Sequence, residues 1–120
     1  MLKLGIERIG ELGIVGCIGS IVSSKSAFDV RRAVMSLEDK RIIVLDLSEL
    51  TAVENEGLGT LILLERWAHD RQIQFKVFNP RKSVRDRLEL VRSHRAFDIA
   101  PLHEIMALLP NADAYRAHPI

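Results

Sequence analysis

The chain has 120 residues, 48% hydrophobic and 28% charged, with 17 basic and 16 acidic side chains and a formal net charge of +1. That length fits one compact domain hiding roughly two thirds of its surface from water, and the apolar-to-charged balance excludes a disordered chain. The small net charge argues against a dedicated nucleic-acid binder, which carries a large basic surplus.

One cysteine cannot close an internal disulfide, which suits the reducing cytoplasm. The opening segment places Glu7 where a signal peptide needs its apolar stretch. The longest uncharged run, Leu12 to Ser24, is broken by Gly13, Gly16 and Gly19 and is too short to cross a bilayer. The expectation is a cytoplasmic protein with no direct membrane insertion.

In chain order, Leu2, Leu4 and Ile6 alternate with Lys3, Gly5 and Glu7, the period of a half-buried strand. Gly10-Glu11 suits a hairpin turn. Ile14 to Ile18 is apolar on both faces and predicts a strand covered on both sides. A helix follows, capped by Ser24 or Ser26, with Val30, Ala33, Val34 and Leu37 at helical spacing. Ile42 to Leu45 reads as a central buried strand ending at Asp46, and Leu47 to Glu56 as a loop.

From Gly57 to His69, Leu58, Leu61, Ile62, Leu64 and Ala68 make a second helix. Phe75, Val77 and Phe78 predict a strand stopped by Asn79-Pro80. A third helix turns Val84, Leu88 and Val91 inward, with Arg85, Asp86, Arg87, Glu89 and Arg92 toward water. A short strand at Phe97 to Ile99 and a last helix with Leu102, Ile105, Met106 and Leu109 complete the order. This alternation predicts an α/β fold, a mixed sheet of about five strands with about four helices packed on it. Residues 1–109 form one domain and 110–120 a loosely ordered tail.

The run Ile42 to Val53, with Asp46-Leu47-Ser48, followed by Glu54-Asn55-Glu56-Gly57-Leu58-Gly59, resembles the signature of STAS domains of the anti-sigma factor antagonist type. Gly19-Ser20-Ile21, Phe78-Asn79-Pro80, Val84-Arg85, Leu88-Glu89-Leu90 and Phe97-Asp98-Ile99 extend the resemblance over residues 2 to 109. It implies a non-enzymatic interaction module that sequesters an anti-sigma factor, in some members one of the serine-kinase type. The implied partner-binding residues are Val53, Glu54, Asn55, Glu56, Gly57, Leu58, Gly59 and Thr60, together with the exposed face of the second helix and the first turn of the third. No cofactor, metal or nucleic acid is implied, and the expected state is a monomer or weak homodimer. The other class of function open to the family is a soluble subunit of a membrane transport complex of the lipid-transporter type.

The chain departs from the pattern where members carry a phosphorylated serine. That phosphoacceptor position is Glu56, which has no hydroxyl to accept phosphate. It places negative charge near a helix N-terminus, as a phosphoserine would, but with about one charge against −1.5 to −2. The alternative is helix-start chemistry, since Asn is a favoured N-cap and an acid in the first turn contributes about 0.3–1 kcal/mol. Gly57 and Gly59 are expected to allow close approach to the sheet or to a partner.

Weaker signals point elsewhere. Asp46, Glu49, Glu54 and Glu56 could hold Mg²⁺ at a strand end, but no nucleophile or phosphate-binding lysine accompanies them. Arg81, Lys82, Arg85, Arg87, Arg92 and Arg95 outnumber Asp86 and Glu89; without interleaved aromatics this reads as a solvated face. His69, His94, His103 and His118 show no metal-site spacing. Cys17 reads as an inert buried thiol and Trp67 as part of the core.

Overall fold

The computed structural model describes residues 1–91 and 97–117, with side chains up to Leu109. Arg92, His94, Arg95 and His118 lie outside the described residues. The elements are β1 (Leu2–Ile9), β2 (Leu12–Ile21), α1 (Ser24–Met35), β3 (Ile42–Val53), α2 (Asn55–Asp70), β4 (Gln74–Phe78), α3 (Lys82–Leu90), β5 (Asp98–Ala100) and α4 (Leu102–Ala117). The sheet runs β1-β2-β3-β4-β5, antiparallel between β1 and β2 and parallel thereafter. The hairpin turns at Gly10, whose φ of 58° is the left-handed value that the first position of a type II′ turn requires.

Alternation along the strands divides the core. One face carries Val15, Cys17, Ile43, Leu45, Leu47 and Val77 against Val30 and Val34 of α1, Leu61 and Leu64 of α2, and Val84 and Leu88 of α3. On the other, Ile9, Leu12, Val44 and Ala100 pack against Ile105 of α4, flanked by Leu108 and Leu109. This second layer covers only part of its face, so Ile18, expected to be covered, is 48% exposed. Leu102 and Met106 likewise lie outside, because α4 spends its apolar contact on Ile105, Leu108 and Leu109.

Residues 47–53 depart most from the pattern expected of them. This segment is not a loop but the second half of β3. Between Gly16 and Ile18 of β2 the partner strand advances from Asp46 to Glu49, and between Gly19 and Ser20 from Leu50 to Ala52. Each step leaves one extra residue on β3, the count of a β-bulge. The bulges turn the inward spacing from two to three, so Leu47, Leu50 and Val53 are all buried. A search for strict alternation misses such a strand.

Smaller differences have local causes. The cap of α1 is Ser23, whose Oγ accepts from the Ser26 backbone N–H while Ser26 Oγ accepts from the Ser23 N–H, the reciprocal pattern of a capping box. The backbone of α4 runs past Pro110 to Ala117, so a helix occupies much of the segment expected as a loose tail; Ala112, Ala114 and Ala117 are strong helix formers. Cys17 is 1% exposed, and burial, aided by the Asp46 charge, pushes its thiol up to about 12, which leaves almost no reactive thiolate.

Lys76 joins the second layer to the sheet edge. It stands between Phe75 and Val77 and so faces α4, where its ammonium reaches Asp98 at 2.9 Å and Glu104 at 2.6 Å. Burial alone would lower this lysine, but the hydrogen bonds and charges of Glu104 and Asp98 outweigh it and hold the group above its ordinary value. The raised value means that its stabilisation is complete below the ordinary lysine value of 10.5 and fades as pH rises through the folded-state value. Lys76→Met is expected to lower stability by about 1–2 kcal/mol at neutral pH, since both carboxylates keep some water. Urea unfolding of both proteins checks this, and the gap between them should narrow at strongly alkaline pH.

Candidate functional site

The site grows from two parallel strand ends. Ile21 closes β2 directly beside Val53, which closes β3, and the Glu54 N–H donates to the Ile21 carbonyl at 3.0 Å. Each strand is followed by a helix on the same face, so α1 and α2 begin side by side. Glu54 is the N-cap of α2, with no side-chain cap bond. This corrects the assignment of Asn55, which is instead the first helical residue, with its side chain turned outward.

Gly57 makes this approach possible. A Cβ there would stand 2.7 Å from Val53 Cγ2, 2.8 Å from Ile21 Cγ2 and 3.0 Å from the Ile21 carbonyl oxygen. Both side chains are β-branched and fully buried, so neither can turn aside. Gly59 is different: a Cβ there meets nothing within 4 Å. Of the two glycines, only Gly57 is required by close packing within the chain.

The residues expected to bind a partner therefore divide. Val53 and Leu58 belong to the core, at 1% and 5% exposure, and Gly57 is covered by Ile21 and Val53. These three position the site rather than present a surface. Glu54, Asn55, Glu56 and Gly59 are exposed and Thr60 half-buried.

Glu56 stands where the two helix starts meet. Ser24 Oγ, in the first turn of α1, donates to Glu56 Oε2 at 2.5 Å. The carboxylate thus lies in the first turn of its own helix and against that of its neighbour, where both sets of unpaired backbone N–H groups favour negative charge. Among the described residues no cation forms an ion pair with Glu56, so its charge remains open to an approaching molecule.

Several surrounding residues carried no functional signal in sequence. Arg87, expected in water, is half-buried, and its Nη2 donates to Asn55 Oδ1 at 3.2 Å, tying α3 to the start of α2. Among the described residues its buried Nε has no hydrogen-bond partner. Arg81 Nε donates to the Ser48 carbonyl at 3.1 Å, so α3 is fastened to the middle of β3 as well. Beyond Glu56 a shallow groove between α1 and α2 is lined by Phe28, Arg31, Gly59, Thr60 and Leu63. Phe28 and Leu63 are 47% and 42% exposed, and the Arg31 and Arg32 guanidinium groups lie 5.3 and 5.8 Å from the Phe28 ring centre. An apolar residue out of phase with the Val30-Val34-Leu37 stripe was the signal available for Phe28.

The acids do not gather. Asp46 accepts from the Ser48 N–H and Oγ at 3.0 and 2.6 Å, Glu49 is exposed, and Glu56 is engaged by Ser24. Among the described residues no three His, Cys, Asp or Glu side chains converge as a metal cage would. Trp67 is half-buried against the main core, with Arg71 stacked 5.5 Å from its ring. Among the described residues no helix is long and apolar enough to cross a membrane.

The two glycines generate opposite expectations. Gly57→Ala should destabilise by about 1–3 kcal/mol through overpacking, less the gain in helix propensity. Gly59→Ala should stabilise by up to about 1 kcal/mol. Thermal unfolding of both variants measures the two signs.

The family model for the STAS domain matches residues 3–105. Among solved structures the chain is similar to the anti-sigma factor antagonist SpoIIAA in its unphosphorylated form (12% identity, TM-score 0.73, covering 91% of this chain and 97% of that one). It is also similar to an anti-sigma factor antagonist from Mycobacterium paratuberculosis (15%, 0.72, 92% and 95%). A third is a serine-to-glutamate variant of RsbS from Moorella thermoacetica (18%, 0.71, 92% and 97%). At these identities the likeness is one of fold: five strands, four helices and α2 rising from the end of β3. With the family match extending over most of its length, this chain belongs to the STAS domain family.

Proposed function

We propose that the protein is an interaction module of the anti-sigma-antagonist type, which binds an anti-sigma factor through the exposed start of α2 and performs no chemistry of its own. The family and the fold it shares with anti-sigma factor antagonists support this reading. The observation that carries it is Glu56: an exposed carboxylate, held by Ser24 at the meeting of two helix starts and left without an intramolecular cation among the described residues. The SpoIIAA structures include a phosphorylated form, and the RsbS variant carries an introduced glutamate. Here the charge is built into the chain and does not depend on a kinase.

Such a module meets its partner with complementary charge and apolar contact. Glu54 and Glu56 supply the charge, with Gly59, Thr60 and the Phe28–Leu63 groove beside them. A partner matched to this surface places a basic group opposite Glu56. A surface built for a neutral serine hydroxyl would instead have to accept the carboxylate unpaired, at a cost of several kcal/mol.

Calorimetric titration of the wild type and Glu56→Ser against a purified candidate anti-sigma factor tests the proposal. The substitution is expected to weaken binding by about 1–2 kcal/mol, roughly tenfold in Kd. Tighter binding with phosphorylation of the introduced serine would show instead that Glu56 holds the chain in a phosphorylated-like state. Equal binding would leave Glu56 with only a helix-start role. Thermal unfolding of the variant separates any loss of the Ser24 contact from loss of partner contact.

A further inference from the structure

β1 ends the sheet, with β2 on one side and no described strand on the other. Its hydrogen-bonding phase is fixed by two observations. The Ser20 N–H donates to the Met1 carbonyl at 3.0 Å, and the hairpin closes on the pair Ile9 and Leu12. In an antiparallel ladder the bonded pairs alternate. The odd-numbered residues of β1 therefore bond to β2, and Leu2, Leu4, Ile6 and Arg8 turn their N–H and C=O groups to the open edge. Ile6 is 39% exposed, so the edge is apolar as well as unpaired.

We propose that this edge pairs with the same edge of a second copy, antiparallel about a two-fold axis at Gly5, joining two five-stranded sheets into one. The sequence Leu2-Lys3-Leu4-Gly5-Ile6-Glu7-Arg8 is self-complementary about its centre. In that register Lys3 stands opposite Glu7 of the second copy, twice by symmetry, and Leu4 opposite Ile6, also twice. The pairing keeps every side chain on its own face of the sheet, as a two-fold axis normal to the sheet demands. Centring the pair on Leu4 sets Lys3 against Gly5, and centring it on Ile6 sets Lys3 against Ile9; neither joins opposite charges. Lysine on an edge normally discourages strand addition, so Lys3 and Glu7 together oppose foreign or shifted strands while admitting this one.

Gly5 supplies the room at the axis. Among the described residues a Cβ there meets nothing within 4 Å, nor does one at Gly16, its neighbour on β2. Gly5 falls at a non-hydrogen-bonded position of the new ladder, where facing Cα atoms lie about 4.5 Å apart, within the range a disulfide spans. One pair of strands covers less than a standard interface, so the dimer should be weak and concentration-dependent, with Kd about 10–100 µM.

Sedimentation equilibrium of the full chain across that range should show reversible growth from one copy to two, suppressed by salt. Lys3→Glu, which sets like charges opposite each other twice, should weaken the dimer about tenfold or more, and adding Glu7→Lys should restore it. Ile6→Pro removes an N–H that faces the open edge, so it should leave the monomer folded and abolish pairing. Under mild oxidation Gly5→Cys should give a covalent dimer, whereas Lys3→Cys alone should not; Cys17, buried with its thiol pushed up to about 12, does not compete. A wild type that stays monomeric throughout overturns the proposal. So does a dimer that ignores the Lys3→Glu reversal or is not captured by Gly5→Cys, since either places the contact elsewhere.

Discussion

The architecture depends on how closely α2 can begin against the paired ends of β2 and β3. Gly57 sits where any Cβ would strike Ile21 and Val53, two β-branched side chains with no free volume around them. The two bulges in β3 make the same meeting possible from the other side. They carry the strand seven residues forward, from Asp46 to Val53, while β2 advances from Gly16 to Ile21. They also keep Leu47, Leu50 and Val53 facing the helices. The position of Glu56 follows from these constraints, because it directly precedes the glycine and has nowhere to turn but outward.

Electrostatics then fix what that end of the molecule presents. Two helices that follow adjacent parallel strands start together, so their unpaired N–H groups reinforce one another. The Glu56 carboxylate lies in this region and is oriented by Ser24. On the opposite flank, the Arg87 contact with Asn55 holds α3 against the start of α2, and the Arg81 contact with Ser48 holds it against the middle of β3. Lys76 works differently, well inside the structure: it joins β4, β5 and α4 through two carboxylates that remain partly hydrated.

The two sheet faces are unequally covered, and this separates core from surface. Among the described residues, three helices cover one face and α4 covers part of the other, with Ile18 exposed and no side chain over the Gly5–Gly16 pair. Leu102 and Met106, apolar residues of the same helix as the buried Ile105, are at the surface. Periodicity reports which residues share a side; it does not report whether another layer arrives to cover it.

Much of the fold was legible in the sequence. Alternation in β1, the uninterrupted run Ile42 to Leu45 and the helical spacing of α1 to α3 specify elements whose order leaves few α/β arrangements, and the run from Asp46 to Gly59 carries the family's mark. These are local signals, set by side-chain period and turn chemistry over a few residues. Tertiary structure decided the rest. It converted 47–53 from loop to strand through bulges visible only against β2, and it gave Gly57 a steric necessity that Gly59 lacks. It drew Arg87 out of water to Asn55, and it brought Ser24 to Glu56 across 32 residues of chain. Each of these depends on which neighbour a residue meets after folding, and the spacing of residues along one chain contains no record of that meeting.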